Sequence, residues 1–345
     1  MYPRHNHRLS SLSTDMRFNV TRRNALVFAS SSLVAGVTSQ ARAQDWPDRP
    51  IRIVVPFAAG AGTDAVGRLM AQKLSDILGQ SVVVDNRTGA SGAIGTQYVA
   101  QSPADGYTLL LVAAPFTTVP AALPSAGYDP VSHFAPVSMI ASGPLVWAVN
   151  KDLPVRSMQD LIALAKDKPG YLNYGSAGAG GINHLVLEML KSRSNSYITH
   201  IPYRGIAPAT MDMIGGQIHL VTGTVPALAP FIKDGRVKAL AVTSEKRSAA
   251  LPDVPSMAEA GFANFDVLNY FGLVAPRQTP VAVLDKLNAA VAKAVALPDV
   301  RARFAADAIE PAAGPATQLA QFIAQDYRGW QRVVAQQNIK ITNAA

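Results

Sequence analysis

Apolar residues alternate along the chain between two rhythms. Residues 51–57 are a short β-branched run ended by a turn, the pattern of a buried strand. A small-residue loop follows at 58–62. From Thr63, a good N-cap, Val66, Leu69, Met70, Leu74, Ile77 and Leu78 recur at three- and four-residue steps. That spacing puts them on one face of a helix, and Gly79 supplies its stop. Strands are predicted again at 81–85 and 108–113. Strands alternating with helices imply an α/β fold, a mainly parallel sheet with helices on both faces.

The same grammar restarts further on. Residues 145–149 read as a strand, and Ser157 with Asp160 fits a capping box opening a helix to Lys166. A strand at 172–174, a small-residue loop at 175–181 and a helix at 182–191 come next. Further strands are expected at 198–201, 220–222, 237–242 and 267–275, with one intervening helix ending at Asp234-Gly235. Alanine-rich amphipathic helices are predicted at 281–296, 300–306 and 316–337. They need a surface to pack on, and the first series provides it. The expected organisation is a first lobe of 44–143 plus 270–345 and a second of 144–269.

Composition narrows the class. Hydrophobic residues are 49% of the 345 and charged residues only 16%, enough apolar surface for a buried core and too little charge for a disordered chain. The net charge of +8 is uneven: residues 1–43 carry +5 of it, leaving +3 for the remainder. After residue 43 there is no basic run and no interleaving of aromatic with basic residues, so no nucleic-acid partner is expected. With no cysteine, the chain has no disulfide, thiolate metal site or cysteine nucleophile.

Residues 1–43 read as an export signal. Arg22-Arg23 precede an apolar stretch at 25–37, and Ala41-Arg42-Ala43 is an A-x-A cleavage pattern. The stretch is about half a membrane span, so it reads as a signal and not an anchor. Cleavage is expected after Ala43, with Met16 as an alternative start. Thr21-Arg22-Arg23 partly matches a twin-arginine motif, and the Sec and twin-arginine routes both remain open.

Each series holds one strand–loop–helix unit rich in small residues: P-F-A-A-G-A-G-T-D at 56–64 and Y-G-S-A-G-A-G-G-I-N-H at 174–184. Such a loop presents backbone N–H groups at a helix N-terminus, where the helix dipole favours an anion, and its small residues allow close approach. Thr63 and Ser176 add hydroxyl donors. Two such loops on facing lobes make a cleft that grips an anion from both sides; either loop alone also fits a simple tight turn, the lesser of the two readings. Gly60-x-Gly62-x-x-Ala65 also matches a variant dinucleotide fingerprint, with Asp85 placed for a ribose, so a secreted NAD(P)-dependent oxidoreductase is the alternative. No P-loop lysine and no G-x-S-x-G elbow is present. His133, His184, His200 and His219 lack metal-ligand spacing, and no metal or cofactor is expected. His184 is placed to face the cleft or to cap its helix. Phe57, Phe116 and Tyr203 line the cleft or pack in the core.

These stretches together resemble the Bug-type periplasmic solute receptors, the binding components of tripartite tricarboxylate transporters. The resemblance rests on W-P-D-R-P-I-R-I-V-V-P-F (46–57), the 60–64 loop, D-N-R-T-G-A-S-G-A-I-G (85–95) and P-A-D-G-Y-T-L-L (103–110). It continues through the 174–180 loop, I-P-Y-R-G-I-A-P-A (201–209), I-G-G-Q-I (214–218), K-D-G-R-V-K-A-L-A-V-T (233–243) and L-P-D-V-P-S-M-A-E-A-G (251–261). It implies a two-lobed periplasmic binding protein, a Venus flytrap of type II-like topology. Such a receptor holds a small carboxylate, works as a monomer with the membrane components of a transporter, or alternatively with a signalling partner, and does no catalysis. Carried over, the ligand-binding positions are Phe57, Ala58, Ala59, Gly60, Gly62, Thr63 and Asp64 on the first loop. Ser176, Ala177, Gly178 and Gly180 are their counterparts on the second, beside which His184 is a candidate by its place at the start of the helix. Gly89, Ala90, Ser91, Ala114, Phe116, Tyr203 and Gly205 complete the wall. Departures at 59–62, 113–120 and 222–224 fall at the variable end of the ligand and leave its identity open.

Overall fold

The structure, a computed structural model, describes residues 46–60, 62–336 and 339. The export signal read at residues 1–43 lies outside the described residues. In chain order the elements begin with β1 (Ile51–Val55), α1 (Gly62–Leu78), β2 (Val82–Asn86), a 3₁₀ turn (Ala90–Gly92), α2 (Ala93–Ala100), β3 (Thr108–Ala113), α3 (Pro115–Ala122) and β4 (Phe134–Asn150). Next come α4 (Met158–Asp167), β5 (Asn173–Ser176), α5 (Ile182–Ser194), β6 (Thr199–Pro202), α6 (Ile206–Ile214), β7 (Leu220–Thr224), α7 (Val225–Lys233) and β8 (Val237–Val242). The last are β9 (Leu268–Pro276), α8 (Val281–Ala296), α9 (Pro298–Ala306), β10 (Glu310–Pro311) and α10 (Ala316–Gln336). No helix among the described residues is long and apolar enough to cross a membrane.

The strands run in the order β2-β1-β3-β9-β4-β7-β5-β6, with β8 and β10 also paired to β4. The outer blocks are parallel: β1 with β2 and β3, and β5 with β6 and β7. Every pairing made by β4 and β9 is antiparallel, so the sheet is mixed where alternation alone predicts a mainly parallel one. The reason is β4, whose seventeen residues were read from sequence only at 145–149. Its first part, to Pro144, pairs with β9; from Leu145 onward it pairs with β7 on one side and β8 on the other. One strand thus belongs to two halves of the sheet and changes partners between Pro144 and Leu145.

Alternation along β4 divides the core of the second half. Leu145, Trp147 and Val149 point to one face and join the large cluster with Leu185, Leu187, Leu240 and Phe265. Val146 and Ala148 point to the other, against Ala209, Met213, Val221, Leu228 and Val242. Trp147 is fully buried edge-on to Phe265, ring centroids 6.1 Å apart; burying a side chain of this size contributes roughly 3 kcal/mol. In the first half, α1 lies against α8 and β2, and α10 against α3 and β4, which is where the C-terminal helices find their surface.

Local chemistry sets the element ends. Ser157 Oγ accepts the Asp160 N–H at 3.0 Å while the Asp160 carboxylate accepts the Arg156 N–H at 2.9 Å, reciprocal capping of α4. Gly79, at φ 67°, closes α1 by donating to Ser75. Thr63 is not the N-cap of α1: the helix already includes Gly62, and Thr63 lies half-buried in its first turn.

Candidate functional site

The loop after β1 is held from below by one carboxylate. Asp64, 2% exposed, accepts the Gly60 N–H and Arg68 Nε at 2.8 Å each on Oδ2, and Asn86 Nδ2 at 2.8 Å on Oδ1. Asn86 also donates to the Phe57 carbonyl. Burial pushes the Asp64 carboxyl up, but the hydrogen bonds from Arg68, Gly60 and Asn86 together with the Arg68 charge hold it below the usual range. Asp64, predicted as a ligand contact, has its carboxylate turned inward as the clamp of the loop. Ala58, Ala59, Gly60 and Gly62 remain exposed. Phe57 is half-buried and lines a small pocket with Pro56, Ser91, Gly92, Thr96, Phe116 and Tyr128.

Across the change of partners in β4, two contacts bring the halves together. A Cβ on Gly62 would lie 3.8 Å from Thr224 Oγ1, so the N-terminus of α1 meets the N-terminus of α7. Ser91 Oγ donates to the Ala179 carbonyl at 3.0 Å, and a Cβ on Gly178 would come within 2.5 Å of that hydroxyl. The Ser91 segment is unusual: Gly89, Ala90, Ser91 and Gly92 all have positive φ, at 126°, 47°, 53° and 96°. For Ala90 and Ser91 this costs roughly 1–2 kcal/mol each. The second loop answers with Gly178 at φ 129° and Gly180 at 76°, which glycine adopts freely.

The second loop rests on a buried polar network. Ser176 is fully buried, with its hydroxyl 2.6 Å from His200 Nε2, 3.1 Å from the Gly178 carbonyl and 3.2 Å from the Gly178 N–H. The Gly180 N–H donates to His184 Nδ1 at 3.1 Å. His184 and His200 stack with centroids 4.0 Å apart. Glu188 accepts Tyr174 Oη and Lys191 Nζ, both at 2.7 Å. Burial lowers His184 to about 4, helped by the Lys191 charge, and lowers His200 to about 3, with His184 adding to the effect. His184 therefore serves the loop from behind, and His200 and Glu188 join it without having been singled out from sequence. His184, Glu188 and Lys191 share a face of α5 by their four- and three-residue spacing. His200 arrives only through the register that sets it beside Tyr174 on β6.

The remaining wall residues divide. Tyr203 donates its N–H to the Ser176 carbonyl and its hydroxyl to Asp212 at 2.8 Å; burial and the Asp212 carboxylate push it up to about 12. Its ring packs under Gly175, where a Cβ would meet it at 3.2 Å. Gly205, at φ 115°, turns the chain into α6. Ala114 is buried as the N-cap of α3, its N–H given to Asn269 Oδ1 at 3.3 Å. Phe116, 3% exposed, belongs to an aromatic cluster with Tyr128 and Phe134, so packing is its main role. Ala177 and Gly178 are partly exposed on the second loop.

What this assembly offers a ligand is the N-termini of α1, α5 and α7 with neighbouring hydroxyls, and the exposed Arg204 stands between Tyr203 and Gly205 in the wall. Arg68, the arginine bonded into the first loop, is spent on Asp64 and Asn86. Asp85, the ribose-binding acid of the dinucleotide alternative, accepts Arg52 and Arg87 instead. Among the described residues no three His, Cys, Asp or Glu side chains are arranged to hold a metal ion.

Residues 66–339 match the family described as the tripartite tricarboxylate transporter family receptor. The chain is 37% identical to the protein BugT of Bordetella pertussis over 309 residues, 89% of this chain and 95% of that one. Its fold superposes on an R. palustris protein, Rpa4515, solved with adipate, at a TM-score of 0.81 and 37% identity, covering 86% of this chain and 99% of that one. MatC from Rhodopseudomonas palustris with bound malate matches at a TM-score of 0.78 and 30% identity, covering 84% and 100%.

Proposed function

Because the chain belongs to the tripartite tricarboxylate transporter receptor family, we propose that it is a periplasmic receptor that closes two lobes on a small carboxylate and presents it to the membrane components of a transporter. The lobes are residues 44–143 with 270–345, and 144–269. The ligand sits between the Phe57–Asp64 loop and the Ser176–Gly180 loop, with Gly89, Ala90 and Ser91 closing one side. It is released unchanged, and the receptor works as a monomer.

The observation that carries this reading is the approach of the two halves across the sheet, where Gly62 lies beside Thr224 and the Ser91 hydroxyl donates to the Ala179 carbonyl. It joins opposed helix N-termini and loop donors, an arrangement that suits an anion because it needs no buried countercharge. Relatives with adipate and malate in their structures have this fold at 30–37% identity, which supports a carboxylate as the class. Closure then follows as a population shift, since a ligand gripped from both lobes binds the closed form better.

Thermal unfolding of the purified protein against malate, adipate, citrate, NAD and NADP tests this. A ligand present at about 100 times its dissociation constant and binding only the folded state stabilises it by about 2.7 kcal/mol. A shift with one class of carboxylate is the expected outcome; a shift with a dinucleotide alone overturns the proposal in favour of an oxidoreductase.

A further inference from the structure

The hydrogens behind the second loop can be assigned by counting donors and acceptors. The Gly180 N–H can only donate, so His184 Nδ1 at 3.1 Å holds a lone pair, and the neutral ring carries its hydrogen on Nε2, 3.9 Å from Glu188. Glu188 is already shared by Lys191 and the Tyr174 hydroxyl. The groups facing His200 are therefore His184, Tyr174, Ser176 and the paired Glu188 and Lys191. None offers it an unshared negative charge, and burial keeps both rings neutral at ordinary pH.

A neutral His200 has one hydrogen to place. Its Nε2 lies 2.6 Å from Ser176 Oγ, which also receives the Gly178 N–H at 3.2 Å and faces the Gly178 carbonyl at 3.1 Å. If the serine gave its hydrogen to His200, its bond to the Gly178 carbonyl would be lost. If His200 gives its own, the serine makes all three of its bonds: two donors fill its lone pairs and its hydrogen goes to the Gly178 carbonyl, which also accepts the Gly181 N–H at 3.4 Å.

We propose that His200 is a positioning residue for anion capture, donating from Nε2 to Ser176 Oγ so that the serine hydroxyl is obliged to donate toward the ligand. On the proposed reading of the chain as a carboxylate receptor, a carboxylate oxygen replaces the Gly178 carbonyl as acceptor of the Ser176 hydrogen. His200 itself stays behind the loop and touches no ligand. The opposite tautomer would turn a serine lone pair to the anion and repel it. This subsite consequently selects acceptor groups and disfavours ammonium and amide donors.

Nitrogen-15 spectra of the full chain labelled at histidine, recorded near neutral pH with and without malate, adipate and citrate, read the tautomers directly. The expected result is a hydrogen on Nε2 of both His184 and His200. His200→Phe, checked for folding by circular dichroism, should lower carboxylate affinity about ten- to hundredfold, as loss of a hydrogen bond to a charged group does. Adding Ser176→Ala to it should cost little more, and His200→Gln, whose amide can donate from the same place, should restore most of the affinity. A hydrogen found on His200 Nδ1, or losses from the two substitutions that multiply independently, overturns the proposal. If none of the three acids binds the wild-type protein, the carboxylate reading falls instead, and the tautomer spectrum still decides the role of His200.

Discussion

The Ser91 hydroxyl donates to the Ala179 carbonyl over 3.0 Å, joining residues 88 apart in sequence and on opposite halves of the sheet. Ser91 makes this contact from a left-handed backbone, and Gly178 lies so close that its lack of a side chain is what lets the hydroxyl in. The joint between the halves is thus a strained segment meeting a glycine, a contact that can be undone by a single methyl group.

Gly178→Ala should hold the halves apart. The added Cβ meets Ser91 Oγ at 2.5 Å and the residue sits at φ 129°, so both space and backbone resist it. The expected outcome is a larger radius of gyration in small-angle scattering and weaker ligand binding. Ser91→Ala, which only removes the bond, should show the same direction with a smaller effect. A compact Gly178→Ala variant with unchanged affinity would rule out this joint as the site of closure.

Ser176→Ala should weaken carboxylate binding by about 1–3 kcal/mol, the usual cost of losing a hydrogen bond to a charged group. Isothermal calorimetry measures it. An unchanged dissociation constant would remove Ser176 from the site.

Asp64→Ala should destabilise the fold by about 1–3 kcal/mol, because the Gly60 N–H loses its acceptor and the Asn86 amide one of its two, while the half-exposed Arg68 returns to water. The folded carboxyl lies below its ordinary 3.8. Its contribution is therefore fully present above that pH and is lost as pH falls through the folded value. Urea midpoints of wild type and variant should stay separated down to about pH 4 and converge below it.

Acid should destabilise the protein through the stacked histidines. The unfolded chain takes up their protons near 6.5, whereas folded His184 and His200 resist to about 4 and 3, so stability falls as pH drops below 6.5. Melting temperatures from pH 7 to 4.5 should fall less steeply in His200→Gln.

Asp326 works in the opposite direction. Burial raises it to about 6 despite hydrogen bonds from Thr117 and Trp330, so the folded state takes a proton there before the unfolded chain does at 3.8, and stability is gained as pH falls through this window. Asp326→Asn should be more stable than wild type at pH 8 and lose that advantage by pH 4. A variant less stable at pH 8 would mean that the charge is needed by its two donors.

Much of the secondary structure was legible in the sequence because its signals are local: β3, β8 and α8 span the residues that periodicity assigns them, and Ser157 caps α4 as its spacing requires. The first part of β4 was not, because Pro136 and Pro144 argue against a strand. The sheet tolerates Pro136 beside a register shift and Pro144 where the strand changes partners. The two glycine loops are legible as candidates by residue type, and their neighbours at Ser91 by resemblance. The inward turn of Asp64 and the His200 contact were not, since both depend on what a neighbouring strand brings alongside: Asn86 from β2 and His200 from β6. Phe116 shows the same limit from the other side, as an aromatic ring reads alike in a cleft wall and in a core.

The shared strand also constrains the order of assembly. Leu110 on β3 pairs with Val274 on β9, and β4 pairs along its first part with the same β9, so the first half stays incomplete until the chain has passed residue 276. The second half is spelled out without interruption between these points. A ribosome or an export channel delivering the chain from its N-terminus therefore presents β3 and the start of β4 as open edges while the intervening segment has all its strands. Non-local closure of this kind is slow and leaves unpaired edges exposed to other chains. A product truncated before residue 268 would keep those edges permanently, which makes the last quarter of this receptor its protection against aggregation.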